Sequence, residues 1–244
     1  MLGLAATGAT ALVVLLASLT NRRPVATVPD RRVYLSRWSE LHGGLEVSGT
    51  TFVRGWLHVV YRLARPLARA GVAPDRLTAW GLVAGGLALS LADLRGRWPL
   101  AAALVVVASG LLDGLDGAVA VLTDRATRYG FVLDSVADRI VDGLFLVALW
   151  RVGAPAGLAV AAGAGVVLLE YARARAASAG MAEIGIVTVG ERPTRVILTA
   201  AALLCCGTYP GSAGRLAAVG ASALLVVSLT GLVQLLGVVR RRLT

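Results

Sequence analysis

Long apolar runs separated by short polar stretches dominate the chain. Seven of them, at about 2–20, 77–94, 98–116, 130–150, 154–174, 195–209 and 214–238, approach the roughly 20 residues that a helix needs to cross about 30 Å of hydrocarbon. The polar stretch 21–51 carries Pro24, Pro29, Gly43 and Gly44 and reads as a loop-rich segment. Residues 52–70 follow another rule. At 100° per residue, Arg54, His58, Arg62, Arg65 and Arg69 fall within an arc of about 80°, with Trp56, Val60, Leu63 and Leu67 opposite. Such a helix lies in the headgroup plane rather than across it. Gly71 and Pro74 end it, and Asp75 or Thr78 can cap the next helix. The predicted architecture is an all-α integral membrane bundle. It comprises an N-terminal anchor helix (1–20), a cytoplasmic loop segment (21–51), an amphipathic interfacial helix (52–70) and a domain of six transmembrane helices (71–244).

Composition agrees. Hydrophobic residues make up 57% of the 244 positions and mean hydropathy is +0.76, far above an ordinary soluble domain. The net charge of +10 rests on arginine alone, for there is no lysine. Nucleic acid is not the implied partner, because the arginines stand in short loops between apolar runs and read as a topology signal and as contacts to the lipid bilayer. With Arg22 on the cytoplasmic side, four of the 24 arginines, Arg95, Arg97, Arg151 and Arg215, fall outside. The apolar first 20 residues, followed by Arg22 and Arg23, read as an uncleaved anchor. Cys205 and Cys206 are adjacent and suit small helix positions rather than a disulfide or a zinc site.

The candidate chemistry is a hairpin of carboxylates. The third run ends in Asp113-Gly114-Leu115-Asp116-Gly117, and the fourth opens with Gly130 and continues through Asp134 to Asp138. Asp113 and Asp116 are three apart and Asp134 and Asp138 four apart, so each pair shares a helix face. The short loop between the helices makes them antiparallel neighbours. Four carboxylates at membrane depth need positive charge between them. Arg125 and Arg128 can supply part of it. Divalent cations such as Mg²⁺, Mn²⁺ or Ca²⁺ satisfy it better, because hard oxygens select them.

The pattern Asp113-x-x-Asp116-Gly117-x-x-Ala120-Val121-(x)8-Gly130-x-x-x-Asp134-x-x-x-Asp138 resembles the signature of the CDP-alcohol phosphatidyltransferases at every spacing. The likeness runs from Arg65-Pro66-Leu67 and Asp75-Arg76-Leu77-Thr78 to the end of the chain. It implies phosphatidyl transfer from CDP-diacylglycerol to a small polar alcohol with release of CMP, at two Mg²⁺ or Mn²⁺ ions. By this resemblance Asp113, Asp116, Asp134 and Asp138 hold metal and Asp138 is also the general base. Gly117, Ala120 and Gly130 lie along the CDP moiety. One position departs: Val121 stands where the family carries arginine. Either Arg125 or Arg128 then holds the donor's phosphates, or the chain is a weakened member that acts by binding.

Two arginine clusters, Glu170-Tyr171-Ala172-Arg173-Ala174-Arg175 and Glu191-Arg192-Pro193-Thr194-Arg195, fall on the side of the aspartates. They read equally as topology signals and as a grip on a phosphate of the acceptor. The second reading resembles the members that make phosphatidylinositol phosphate or phosphatidylglycerol phosphate, more than those that use an unphosphorylated alcohol. Lysine-free, Ala- and Gly-rich composition suggests a bacterial inner membrane with the site facing the cytoplasm. A homodimer is compatible with this picture. A prenyltransferase is disfavoured because its two aspartate motifs lie far apart along the chain, and a transporter because the spans show no internal repeat.

Overall fold

The computed structural model describes residues 27–41, 51–181 and 187–243. Within them the chain is helical: α1 (Arg31–Leu41), α2 (Thr51–Arg69), α3 (Pro74–Asp93), α4 (Trp98–Thr123), α5 (Arg128–Val152), α6 (Ala156–Ser178), α7 (Arg192–Thr208) and α8 (Ala213–Leu243). A 3₁₀ turn at Pro210–Ser212 leads into α8. By length and composition α4, α6 and the turn with α8 are able to cross a membrane. The other expected runs form α3, α5 and α7. They stand lower on that measure because α3 and α5 carry acidic and basic residues and α7 has only 17 residues. The expected anchor at 1–20 lies outside the described residues.

The expected loop over 21–51 gives way to α1. Asp30, just after Pro29, accepts the Val33 N–H at 3.0 Å, which is N-capping. Tyr34 is 1% exposed and meets Tyr61 of α2 with ring centroids 5.4 Å apart. The Tyr61 hydroxyl in turn donates to the Pro29 carbonyl at 3.2 Å. Burial pushes the Tyr34 hydroxyl up to about 12, so it stays neutral in its apolar setting.

Helix α2 keeps its basic face exposed but seats on a different stripe from the expected one. Leu57, Val60, Tyr61, Ala64 and Ala68 are buried, while Trp56, Val59 and Leu63 remain exposed beside the arginines. The buried stripe combines Ala64 and Ala68, which allow close approach, with Leu57, Val60 and Tyr61, and the partly exposed Trp56 lies over Gly114 of α4, where a Cβ would stand 3.1 Å from its ring. Gly71, at φ 71°, ends the helix: Val72 N–H bonds the Leu67 carbonyl and Gly71 N–H bonds that of Ala68, a Schellman pattern that needs the left-handed residue.

Helix α3 packs against both α4 and α5, while α4 packs on α7 and α8 on α6 and α7; α5 meets each of the other helices from α3 to α8. Helices α4 and α5, although joined by only four residues, barely touch. The expected antiparallel hairpin is therefore a V, with α3 wedged into it. Small residues permit the wedge. Ser109 of α4 donates to the Gly81 carbonyl of α3 at 3.1 Å, and a Cβ on Gly85 would stand 3.2 Å from Val141 Cγ2 of α5. An Arg151–Asp93 ion pair at 2.6 Å ties α5 to α3 at the end away from the carboxylates.

Candidate active site

Helices α4 and α5 run past the carboxylates, so the aspartates sit inside helices rather than at their ends. Asp124 adopts a left-handed conformation at φ 55° and closes α4, and the Thr127 hydroxyl caps α5 by accepting the Gly130 N–H at 2.9 Å. The aspartates gain fixed positions from this extension.

Asp113, Asp116 and Asp134 each present a carboxylate oxygen within 4.8 Å of the others. Asp116 is locked: Thr78 of α3 donates to Oδ2 at 2.5 Å and the Gly117 N–H to Oδ1 at 2.5 Å. Thr78 is thus not a helix cap, since α3 begins at Pro74 without a side-chain cap; it orients a carboxylate instead. Asp134 Oδ1 is buried and accepts no hydrogen bond. Asp138 stands beside this group in the same cavity, with Thr78, Gly81 and Arg192. The Arg192 guanidinium bridges Asp113 and Asp138. Three convergent hard oxygens and one orphaned buried oxygen fit a divalent cation. Sequence spacing found the four aspartates, but the arginine among them comes from a helix some 50 residues further along.

Gly117 is exposed, and a Cβ there would meet nothing within 4 Å. Gly117→Ala is therefore expected to leave the thermal midpoint unchanged, which calorimetry in detergent would show. Gly130 has a packing role as well: its Cβ would come 3.1 Å from Thr127 Oγ1 and 3.6 Å from Asp75 Oδ1. Ala120 is half-buried on α4, Arg125 is half-buried in the turn, and Arg128 is exposed at the start of α5.

Val121 is buried among Tyr34, Val60 and Leu122, in the cluster between α4 and the two N-terminal helices. Its carbonyl accepts a hydrogen bond from Arg37 of α1 at 3.4 Å. A guanidinium thus meets the backbone at this position from a helix that sequence reading left as loop. Val121 is not among the residues lining the aspartate cavity.

A second charged cluster adjoins the first through Arg139, which pairs with Asp138 at 3.7 Å and Asp142 at 3.2 Å. Arg139 also reaches Glu170 at 3.3 Å. Arg195, 2% exposed, pairs with Asp142 at 3.2 Å and Glu170 at 3.0 Å. Arg173 pairs with Glu191 at 2.6 Å and with Glu170 at 3.6 Å. Of the four arginines expected at the acceptor, Arg192 lies among the aspartates and Arg173 and Arg195 lie in this network. Arg175 is exposed and, two residues beyond Arg173, projects from another side of α6. Arg139 and Asp142 had a legible signal, since Asp142 continues the four-residue rhythm of Asp134 and Asp138. The loop carrying Glu191 is held by close packing: a Cβ on Gly190 would stand 2.7 Å from Leu169 Cδ2 and 3.1 Å from the Val227 carbonyl.

The family model described as CDP-alcohol phosphatidyltransferase matches residues 71–234. The chain belongs to the CDP-alcohol phosphatidyltransferase family. With that comes the transferase class and the membrane setting that the apolar helices indicate. The chain is 33% identical over 141 residues to an archaetidylinositol phosphate synthase of Aeropyrum pernix, covering 57% of this chain and 63% of that protein. It is 38% identical over 147 residues to a phosphatidylinositol phosphate synthase of Mycobacterium marinum, covering 57% and 61%. Among solved structures it resembles the phosphatidylinositol phosphate synthase of Mycobacterium tuberculosis with CDP-DAG bound, at TM-score 0.61 and 30% identity over 75% of this chain and 94% of that one. The same enzyme in complex with manganese and citrate superposes at TM-score 0.60.

Proposed function

We propose that this chain transfers the phosphatidyl group of CDP-diacylglycerol to a hydroxyl of a small polyol and releases CMP. The observation that carries the reading is the convergence of Asp113, Asp116 and Asp134 within 4.8 Å beside Asp138, in a family of this chemistry. Asp113, Asp116 and Asp134 are the residues to hold Mg²⁺ or Mn²⁺, with Asp138 adjoining a second ion. Bound there, the ions supply neutralisation of the charge that gathers on the pyrophosphate during displacement.

The chain's own groups do the rest. Thr78 and the Gly117 N–H hold Asp116 in one orientation, which is preorganisation by a supporting shell. Asp138, held by Arg192 and Arg139, takes the proton of the attacking hydroxyl. The acceptor oxygen bonds to the phosphorus next to diacylglycerol, the bond from that phosphorus to the CMP oxygen breaks, and CMP leaves with the electron pair. Direct transfer is favoured because no serine, cysteine or histidine is among the residues lining the cavity, and the Thr78 hydroxyl is engaged by Asp116. Gly117 gives the donor's CDP portion an open backbone edge. The exposed apolar residues Phe131, Val132, Val136 and Ile140 on α5 suit acyl chains that stay in the bilayer. The arginine distribution favours a reaction face on the cytoplasmic side of a bacterial inner membrane.

The relatives' names, archaetidylinositol phosphate and phosphatidylinositol phosphate synthases, favour a phosphorylated polyol of the inositol type, the acceptor expected from the arginine clusters. The weakened-member reading loses support, because Val121 does not face the aspartate cavity.

Metal removal tests the mechanism. EDTA is expected to abolish CMP release by the purified protein, and Mg²⁺ or Mn²⁺ to restore it. Asp113→Asn is expected to weaken Mn²⁺ binding measured by electron paramagnetic resonance. Undiminished turnover in chelator would contradict the metal-assisted reading.

A further inference from the structure

Helix α2 carries a row of guanidinium groups that the protein leaves without a counter-charge. Arg54, Arg62, Arg65 and Arg69 are all exposed, and α2 contains no acidic residue. Among the described residues none of the four pairs with a carboxylate, whereas Arg139, Arg151, Arg173, Arg192 and Arg195 each do. Exposed arginines can rest in water and salt, so the row takes its meaning from what lies beside it.

Counted at 100° per residue, the row fills an arc of about 80° of the helix. The exposed apolar residues Trp56, Val59 and Leu63 fill a second arc of about 60°. The buried stripe from Leu57 to Ala68 fills a third, of about 100°. The three arcs are centred about 120° apart, so α2 has three faces and each requires a different neighbour. The buried stripe has the protein. Trp56, Val59 and Leu63 suit acyl chains. A helix meets both neighbours at once along the bilayer boundary, where its remaining face stands at the level of the lipid phosphates. Nucleic acid fits less well, because the apolar face beside the row would stay in water.

The row is also presented at a fixed place. The Trp56 ring lies over Gly114 of α4, where a Cβ would stand 3.1 Å from Trp56 Cζ2 and 3.6 Å from Val60 Cγ2. Tyr61 is anchored to Tyr34 and to the Pro29 carbonyl. Docking on this face therefore orders arginine side chains but not the helix that bears them. None of the four arginines lines the aspartate cavity, which separates the row from a lipid reacting there. We propose that Arg54, Arg62, Arg65 and Arg69 form a docking surface for the headgroups of anionic phospholipids of the bilayer, distinct from the donor lipid. Phosphatidylcholine carries the same phosphate with no net charge, so selection rests on the attraction of clustered arginines to an anionic surface.

The test is the association of spin-labelled lipids with the full-length protein in phosphatidylcholine vesicles, read by electron paramagnetic resonance as the motionally restricted fraction. Spin-labelled phosphatidylserine is expected to associate at least about fivefold more strongly than spin-labelled phosphatidylcholine, the weight of about one arginine at an anionic surface. Raising NaCl from about 0.1 M to about 1 M is expected to remove most of that preference, since the screening length falls from about 10 Å to about 3 Å. Combining Arg54→Gln, Arg62→Gln, Arg65→Gln and Arg69→Gln is expected to lower the preference at least about threefold. Lysine at the same four positions keeps the charge and the topology signal, and is expected to leave the preference close to that of the wild type. Gel filtration reports whether the glutamine variant is folded; if it is not, the wild-type ratio and its salt dependence decide. Equal association of the two lipids with the wild type overturns the proposal, as does wild-type preference in a folded glutamine variant or loss of preference in the lysine variant. A preference abolished by an equimolar amount of CDP-diacylglycerol would assign the row to the donor lipid and overturn the proposal too. None of these outcomes bears on phosphatidyl transfer.

Discussion

Asp138→Asn is expected to lower kcat for CMP release by about 10²–10⁴-fold, the usual weight of a positioned general base. The amide has nearly the shape of the carboxylate and can still accept from Arg192, so the cavity keeps its form. What it loses is the ability to take the proton of the attacking hydroxyl. Affinity for CDP-diacylglycerol is expected to stay at the wild-type level, because the proposed donor site lies along α4 and the aspartate triad. Calorimetric titration of the donor beside steady-state CMP release separates the two. A variant with near-normal kcat would move the base to another group.

The second large effect concerns stability. Arg195 is 2% exposed and faces Asp142, itself 5% exposed, and Glu170. It also donates to the Gly190 carbonyl at 2.6 Å. Arg195→Met removes the charge but nearly preserves the volume, leaving a buried carboxylate without its main partner. Breaking a buried pair on one side costs about 3–5 kcal/mol, so the thermal midpoint in detergent is expected to fall sharply. A substrate grip at the same position would instead raise the acceptor KM with little change in stability. Arg195→Lys keeps the charge but not the planar fork, and is expected to recover part of the lost stability.

Much of this was legible in the sequence, for identifiable reasons. The apolar runs are long, and arginine and glycine punctuate them, so the helices from α3 onward could be placed closely. The aspartates were readable because three- and four-residue spacings put pairs on one helix face. What escaped was what helices bring together from far apart along the chain. Arg192 reaches Asp113 and Asp138, and Thr78 reaches Asp116, through packing that no local period encodes. The wedge of α3 between α4 and α5 depends on glycines such as Gly85, whose role is visible only when Val141 is seen against it. Helix α1 was missed because its single buried aromatic, Tyr34, depends on Tyr61 and on an Asp30 cap in a stretch otherwise rich in loop residues. The arginine clusters were found, but the pairing of Arg195 with Asp142 and Glu170, and of Arg173 with Glu191, joins helices far apart along the chain.

The central claim, direct transfer from CDP-diacylglycerol to an alcohol, is tested most directly by measuring CMP and new phospholipid together in one reaction of the purified protein with Mg²⁺ and a polyol. Equal molar amounts of the two, both lost in chelator, are the predicted result. CMP formed without a phospholipid that carries the alcohol would show hydrolysis rather than transfer and contradict the account.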